Sequence, residues 1–323
     1  MKKASLVYNG YYMKIKRFLS FVYKLLKNTV KGFLEDNAIK FSAALAYYTI
    51  FAMAPALLII MSLLGFFFGK EAIQGEVYGQ INSLVGTEAA AQIQDIIKNI
   101  HLTQDNLFAT AIGAVILLLA ASGIFGEIQD SINRIWGIKA KPKRGLIRLL
   151  TKRLLSFSML VTIGFVLMVA LIVNALVNLL STAIGNYFPD ATLYFLFVFD
   201  NLLTLVAITT LFAVIFKILP DAIIKWKYVM VGAIVTAALF MLGKYVIGYY
   251  LAQSSIVTVY GAAASIMIIM VWIYYNAIIL YFGAEFTQVY TESIGGEILP
   301  KRYAVLIEKK AIDTENTPSN KIT

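Results

Sequence analysis

The chain has no cysteine and a single histidine, His101. Without thiols it can form no disulfide, thiolate metal site or cysteine nucleophile, and one histidine cannot build a histidine-rich metal centre. Charge is scarce as well: 14% of the 323 residues are Asp, Glu, Lys or Arg, against 60% hydrophobic, and the mean hydropathy is +0.77. A soluble protein of this length needs more polar surface than that, whereas a polytopic membrane protein does not. No phosphate loop, nucleophile elbow or zinc signature is visible, so no cofactor is implied and the chain reads as a non-enzyme. No cleavable signal peptide is visible either. The first apolar run begins near Phe41 and continues past Ala52-Met53-Ala54 into Pro55 and a further spanning length.

What is present is long apolar runs. An α-helix needs about 20 apolar residues to cross the ~30 Å hydrocarbon core of a bilayer. The run from Tyr260 to Tyr290 exceeds that, is nearly free of periodic polarity and carries one carboxylate, Glu285. Five more runs lie at about Phe41–Phe68, Leu107–Phe125, Leu154–Leu180, Thr192–Leu219 and Tyr228–Leu251. The expectation is an all-α, polytopic bundle of six transmembrane helices over residues 41–290. It is preceded by a basic segment, 1–40, and followed by a polar tail, 291–323, that ends in a disordered run.

Lysine and arginine counts in the seven non-membrane segments alternate rich, poor, rich, poor, rich, poor, rich. The Arg134–Arg153 connector is the densest, and the Lys70–Asn106 connection holds five acidic residues against two lysines. By the positive-inside rule both termini are then expected on the cytoplasmic side of the membrane. The net charge of +10 is dispersed among these segments, which indicates topology and anionic lipid headgroups as partners and not nucleic acid. Homo-oligomerisation or an unidentified protein partner stays compatible with the sequence.

In the first segment, Ile15, Phe18, Leu19, Val22, Leu25, Leu26, Val30 and Phe33 recur at helical spacing, with Lys14, Lys16, Arg17, Lys24, Lys27 and Lys31 around them. Two readings fit: a helix lying in the headgroup layer, or one packed on the rest of the protein. In the first span Pro55 predicts a kink, static or hinged.

Ionisable groups at membrane depth pair with one another or line a wet path. At a rise of about 1.5 Å per residue, Asp200 lies roughly 12 Å and Lys244 roughly 10 Å from the outer ends of the fourth and fifth helices. They should form an ion pair or share a polar cavity, with Asn174 and Asn178 near the outer end of the third helix. Lys217 and Glu285 both fall roughly 38 Å along their helices, where they could meet, or Lys217 could snorkel to headgroups. Trp272, Tyr274 and Tyr275 sit at mid-span, either as core packing or lining a polar interior with Asn276.

Several short motifs resemble the YihY/virulence factor BrkB family. They are Tyr260-Gly261-Ala262-Ala263, Trp272-Ile273-Tyr274-Tyr275 and Gly283-Ala284-Glu285 in the last span, and Ala43 to Tyr48 with Pro55 in the first. Leu219-Pro220 with Trp226 and Gly232-Ala233 belong to the same set, as does Ser131-Ile132-Asn133-Arg134-Ile135-Trp136. The resemblance runs from about Lys31 to Tyr290. It implies a six-helix bacterial inner-membrane protein, from a family linked to serum resistance, suspected of moving lipids or other amphipathic compounds, and historically labelled ribonuclease BN. It marks Pro55, Asn133, Tyr260, Trp272, Tyr274 and Glu285 as family positions and supplies no catalytic residue. A metal-dependent nuclease needs several convergent carboxylates or histidines. Asp36, Glu127, Asp130 and Asp221 lack such a pattern, so nuclease activity is not expected. A transporter or lipid translocase remains, with a non-transporting envelope scaffold as the alternative.

Overall fold

The computed structural model describes residues 2–68, 91, 123–141, 158–159, 162, 165–166, 169, 173, 189–253 and 264–307. The acidic connection with His101, most of the second and third spans, Asn174, Asn178, Tyr260 and the tail beyond Ile307 lie outside the described residues. Of Asp200 and Pro55 the backbone is described but not the side chain.

Helix α1 covers Lys2–Glu35 and α2 covers Ala38–Phe68. Between them Asn37 adopts a left-handed conformation, φ 58°, the usual way to end a helix and turn the chain. Helix α2 stays helical through Pro55. Helix α3 spans residues 123–135 and leads into strand β1, Ile138–Ala140. Helix α4, Pro189–Ile218, and α5, Trp226–Gln253, are joined by a short turn that contains β2, Ala222–Ile223. Helix α6, Ala264–Ser293, is followed by β3, Leu299–Pro300, and β4, Ala304–Leu306. Among the described residues three helices are long and apolar enough to cross a membrane: Asn201–Ile218, Trp226–Tyr250 and Ile266–Ser293. They coincide with the three last expected spans.

Helix α6 is the hub, packing on α1, α2 and α5, while α4 packs chiefly on α5. The α5–α6 seam is built by two matching Gly-x-x-x-Thr steps. Thr287 of α6 fills the space over Gly232, and Thr236 of α5 fills the space over Gly283, so a methyl on either glycine would run into the opposing threonine. Each threonine hydroxyl donates back to the carbonyl one turn earlier, Thr236 to Gly232 at 2.6 Å and Thr287 to Gly283 at 2.7 Å. Such back-bonding satisfies the hydroxyl within its own helix and lets the two backbones approach.

The best-buried side chains gather at the end of the bundle where α1 turns into α2 and α4 turns into α5, here termed the basic end. Trp136, Ile132, Phe216, Val229 and Tyr281 form its centre. Trp136 threads from α3 to α6, where its indole N–H donates to the Ala284 carbonyl at 3.0 Å. Edge-to-face contacts tie Phe33 to Phe282 and Phe41 to Tyr281, with centroids 5.8 and 6.2 Å apart.

The tail departs from the expected polar extension. Strand β4 pairs antiparallel with β1, and β3 pairs antiparallel with β2, so residues 299–306 bridge the segment after α3 and the α4–α5 turn. Two or three residues per strand carry no hydropathy pattern long enough to read, which is why composition alone gave only a polar tail.

Candidate functional site

The α4–α5 turn carries Asp221, directly after Leu219-Pro220, and its carboxylate is buried. A buried carboxylate must be compensated by donors. Two come from one face of α3, four residues apart: Gln129 Nε2 donates to Oδ1 at 3.0 Å and Asn133 Nδ2 donates to Oδ2 at 2.9 Å. The Asp221 backbone N–H donates in return to Asn133 Oδ1 at 2.7 Å. The tail adds its own tie, since the Lys301 backbone N–H donates to the Asp221 carbonyl at 2.9 Å. Lys301 Nζ reaches the Ile218 carbonyl at 3.3 Å.

Asp221 thus holds α3, the α4–α5 turn and the tail together, with Asn133 as its reciprocal partner. Burial lowers the pKa of the Lys301 ammonium, an effect that Asp221 partly offsets and Lys217 reinforces. Burial likewise raises the pKa of the Tyr303 phenol, and the neighbouring Asp221 charge adds to the rise.

An open cleft of about 970 Å³ lies beside this clasp. Glu35, Asp36 and Asn37 of the α1–α2 turn line one side, and Asp130, Asn133 and Arg134 of α3 line another. The Arg134 guanidinium lies over the Phe41 ring, 5.5 Å from its centroid. Among the described residues no cluster of His, Cys, Asp or Glu has the makings of a metal site.

Further along α3, Ser131 Oγ donates to Glu127 Oε1 at 3.2 Å. Burial raises the Glu127 pKa above its ordinary value, the Asp130 charge adds to it, and the Ser131 bond and Arg134 oppose it. A raised carboxylate pKa means that folding penalises the ionised form, so the penalty is absent at acid pH and complete above the folded-state pKa. Glu127→Gln is therefore expected to raise the melting temperature modestly at neutral pH, with the gain vanishing below the ordinary carboxylate range. Thermal unfolding of both proteins across pH checks this, and an equal gain at every pH would rule it out.

The structure separates Lys217 from Glu285. Lys217 Nζ donates to the Ile224 carbonyl across the α4–α5 turn and sits 5.6 Å from the Trp226 ring centroid. Glu285 is buried on α6 with Oε1 turned to Gly32 of α1, where only a glycine leaves room.

At the opposite end, Tyr245 Oη donates to Asn201 Oδ1 at 3.3 Å. That bond joins α4 and α5 one residue beyond Asp200 and Lys244, so the two helices bring those positions to one level. Trp272 is buried between Phe240 and Tyr275, with centroids 6.1 and 6.3 Å away, and Tyr274 is half-buried beside it. Asn276 Nδ2 donates to the Trp272 carbonyl one turn back at 2.7 Å.

Sequence reasoning found Asn133 as a motif position but not its partner. The proximity of Asp221 to a proline-ended helix was visible; its burial against α3, 88 residues away in the chain, was not.

The profile of a family described as Virulence factor BrkB matches residues 29–305. A UPF0761 membrane protein of Saccharophagus degradans is 29% identical over 278 residues, 86% of this chain and 62% of that protein. One of Stenotrophomonas maltophilia is 28% identical over 262 residues, 79% of this chain and 58% of that protein. One of Vibrio vulnificus is 29% identical over 257 residues, 75% of this chain and 74% of that protein. The match thus spans about three-fifths of the length of the first two relatives. All are bacterial, and their names specify a membrane protein without a substrate. No solved structure matches.

Proposed function

Because the chain belongs to the virulence factor BrkB family of membrane proteins, we propose that it is a non-enzymatic transporter or translocase of lipid or another amphipathic compound. Its place is the bacterial inner membrane, with six spans and both termini in the cytoplasm, so that the basic end faces inward. The observation that supports this reading is the polar level shared by α4 and α5 within their apolar lengths. Asn201 and Tyr245 are hydrogen-bonded there, Tyr245 is largely exposed, and Asp200 and Lys244 stand on the adjacent backbone positions. Polar groups at such depth are costly and are retained where they serve a path or a pair.

A scaffold without transport is the second reading. What favours it is the Asp221 clasp, a buried charge fully occupied in joining three segments.

Reconstitution into liposomes with fluorescent-lipid and small-solute flux measurements tests the choice. Wild-type flux that falls at least about tenfold in folded Asp200→Asn and Lys244→Met supports the path. Absence of wild-type flux, or full flux in both variants, speaks against it.

A further inference from the structure

Helix α1 has two apolar flanks, and only one is used by the bundle. At 3.6 residues per turn, Leu25, Thr29 and Phe33 share the flank that is buried. Leu19, Leu26 and Val30 occupy the next strip around the helix, together with Tyr23 and Leu34, and all five are exposed: Leu19 at 61%, Tyr23 at 66% and Leu34 at 56%. Beyond that strip comes the basic arc of Lys24, Lys27 and Lys31, which is exposed as well.

The roll of the helix is fixed by its contact with α6. Gly32 lets Glu285 press against the α1 backbone, and Phe33 meets the Phe282 ring. With the roll fixed, the open strip and the basic arc face away from the bundle side by side. The height is set by the same contact. Glu285 lies eight residues before the end of the apolar window of α6, Ile266–Ser293, on the side of the basic end. The anchored part of α1 therefore meets α6 within the last turns of that window, toward the basic end.

We propose that the Leu19–Leu26–Val30 strip of α1 is a docking surface for an anionic lipid leaflet, with the lysine arc reading the headgroup charge. A strip next to a cationic arc suits anionic lipid, which takes up the apolar side chains and neutralises the ammonium groups in one step. A second copy of the chain suits it poorly, because two such helices meeting along the strip would bring their lysine arcs together. This surface is independent of the transport reading, and its test involves no flux.

The absence of native cysteine makes the test direct. Leu26→Cys, Val30→Cys and Lys24→Cys are placed singly in the full chain and embedded in nanodiscs of phosphatidylglycerol with phosphatidylcholine. A charged maleimide is expected to react roughly tenfold more slowly at 26 and 30 than at 24. A fluorophore at 26 should be quenched by brominated phospholipid, and both effects should weaken in pure phosphatidylcholine. Reaction at 26 and 30 as fast as at 24 in the anionic discs would overturn the proposal. So would shielding at 26 with no quenching by brominated lipid, the signature of a covering protein or second copy.

Discussion

Replacing Asp221 with alanine is expected to destabilise the protein by about 2–4 kcal/mol, because it leaves two buried amide donors without their acceptor. The deletion strands Gln129 Nε2 and Asn133 Nδ2, which both aim at the carboxylate from buried side chains. It also loosens the turn whose carbonyl receives the tail at Lys301. Asn133→Ala should cost less, about 2 kcal/mol, because the carboxylate keeps the Gln129 donor. The two changes together should cost less than their sum, since each removes the same bond. Glu297→Ala, at an exposed site near the tail, should stay within about 0.5 kcal/mol of the parent. Thermal unfolding in detergent reads all four. An Asp221→Ala protein that melts with the Glu297 control would show that the clasp contributes nothing.

That expectation marks where sequence reasoning stops. Helices α4, α5 and α6, Pro189–Ile218, Trp226–Gln253 and Ala264–Ser293, were legible because each carries a long apolar length. Helix α1 was legible from its periodicity. The choice between headgroup and protein was not, because one apolar stripe divides into a buried flank, Leu25, Thr29 and Phe33, and an exposed one, Leu26 and Val30. Comparing helix depths put Asp200 level with Lys244, and the Tyr245–Asn201 bond sets α4 against α5 at that height. The same comparison put Lys217 level with Glu285, but depth says nothing about azimuth, and the two side chains turn to different neighbours. Asp221 was visible only as one carboxylate among several. Its burial depends on where α3 comes to rest, and no local pattern encodes that.

The motif Ser131 to Trp136 gains a physical meaning from the same comparison. Asn133 faces the α4–α5 turn, Trp136 hands its indole proton to α6, and Ile132 and Ile135 fill the space between. This segment thereby presents a polar connection and an apolar one to two different partners. A segment built this way joins the α4–α5 turn to α6.

The α5–α6 seam carries the other large effect. Helices in lipid gain little from burying apolar surface against each other, so close backbone approach supplies much of the contact energy. Gly232 and Gly283 each accept the opposing threonine, in a reciprocal arrangement where Thr236 and Thr287 are themselves buried. Gly283→Leu is expected to cost about 3 kcal/mol or more, because a bulky side chain cannot share space already filled by Thr236 without parting the helices. Gly232→Ala, a smaller intrusion on Thr287, should cost about 1–3 kcal/mol. Trimming the opposing side chain, as Gly232→Ala with Thr287→Ala, should recover part of that loss by removing the hydroxyl and methyl that collide. A cycle of the two single variants and the double, read by thermal unfolding in one detergent, gives the coupling directly. Strict additivity would mean that the two residues do not meet across the seam, and the central packing of α6 on α5 would have to be rebuilt on other contacts.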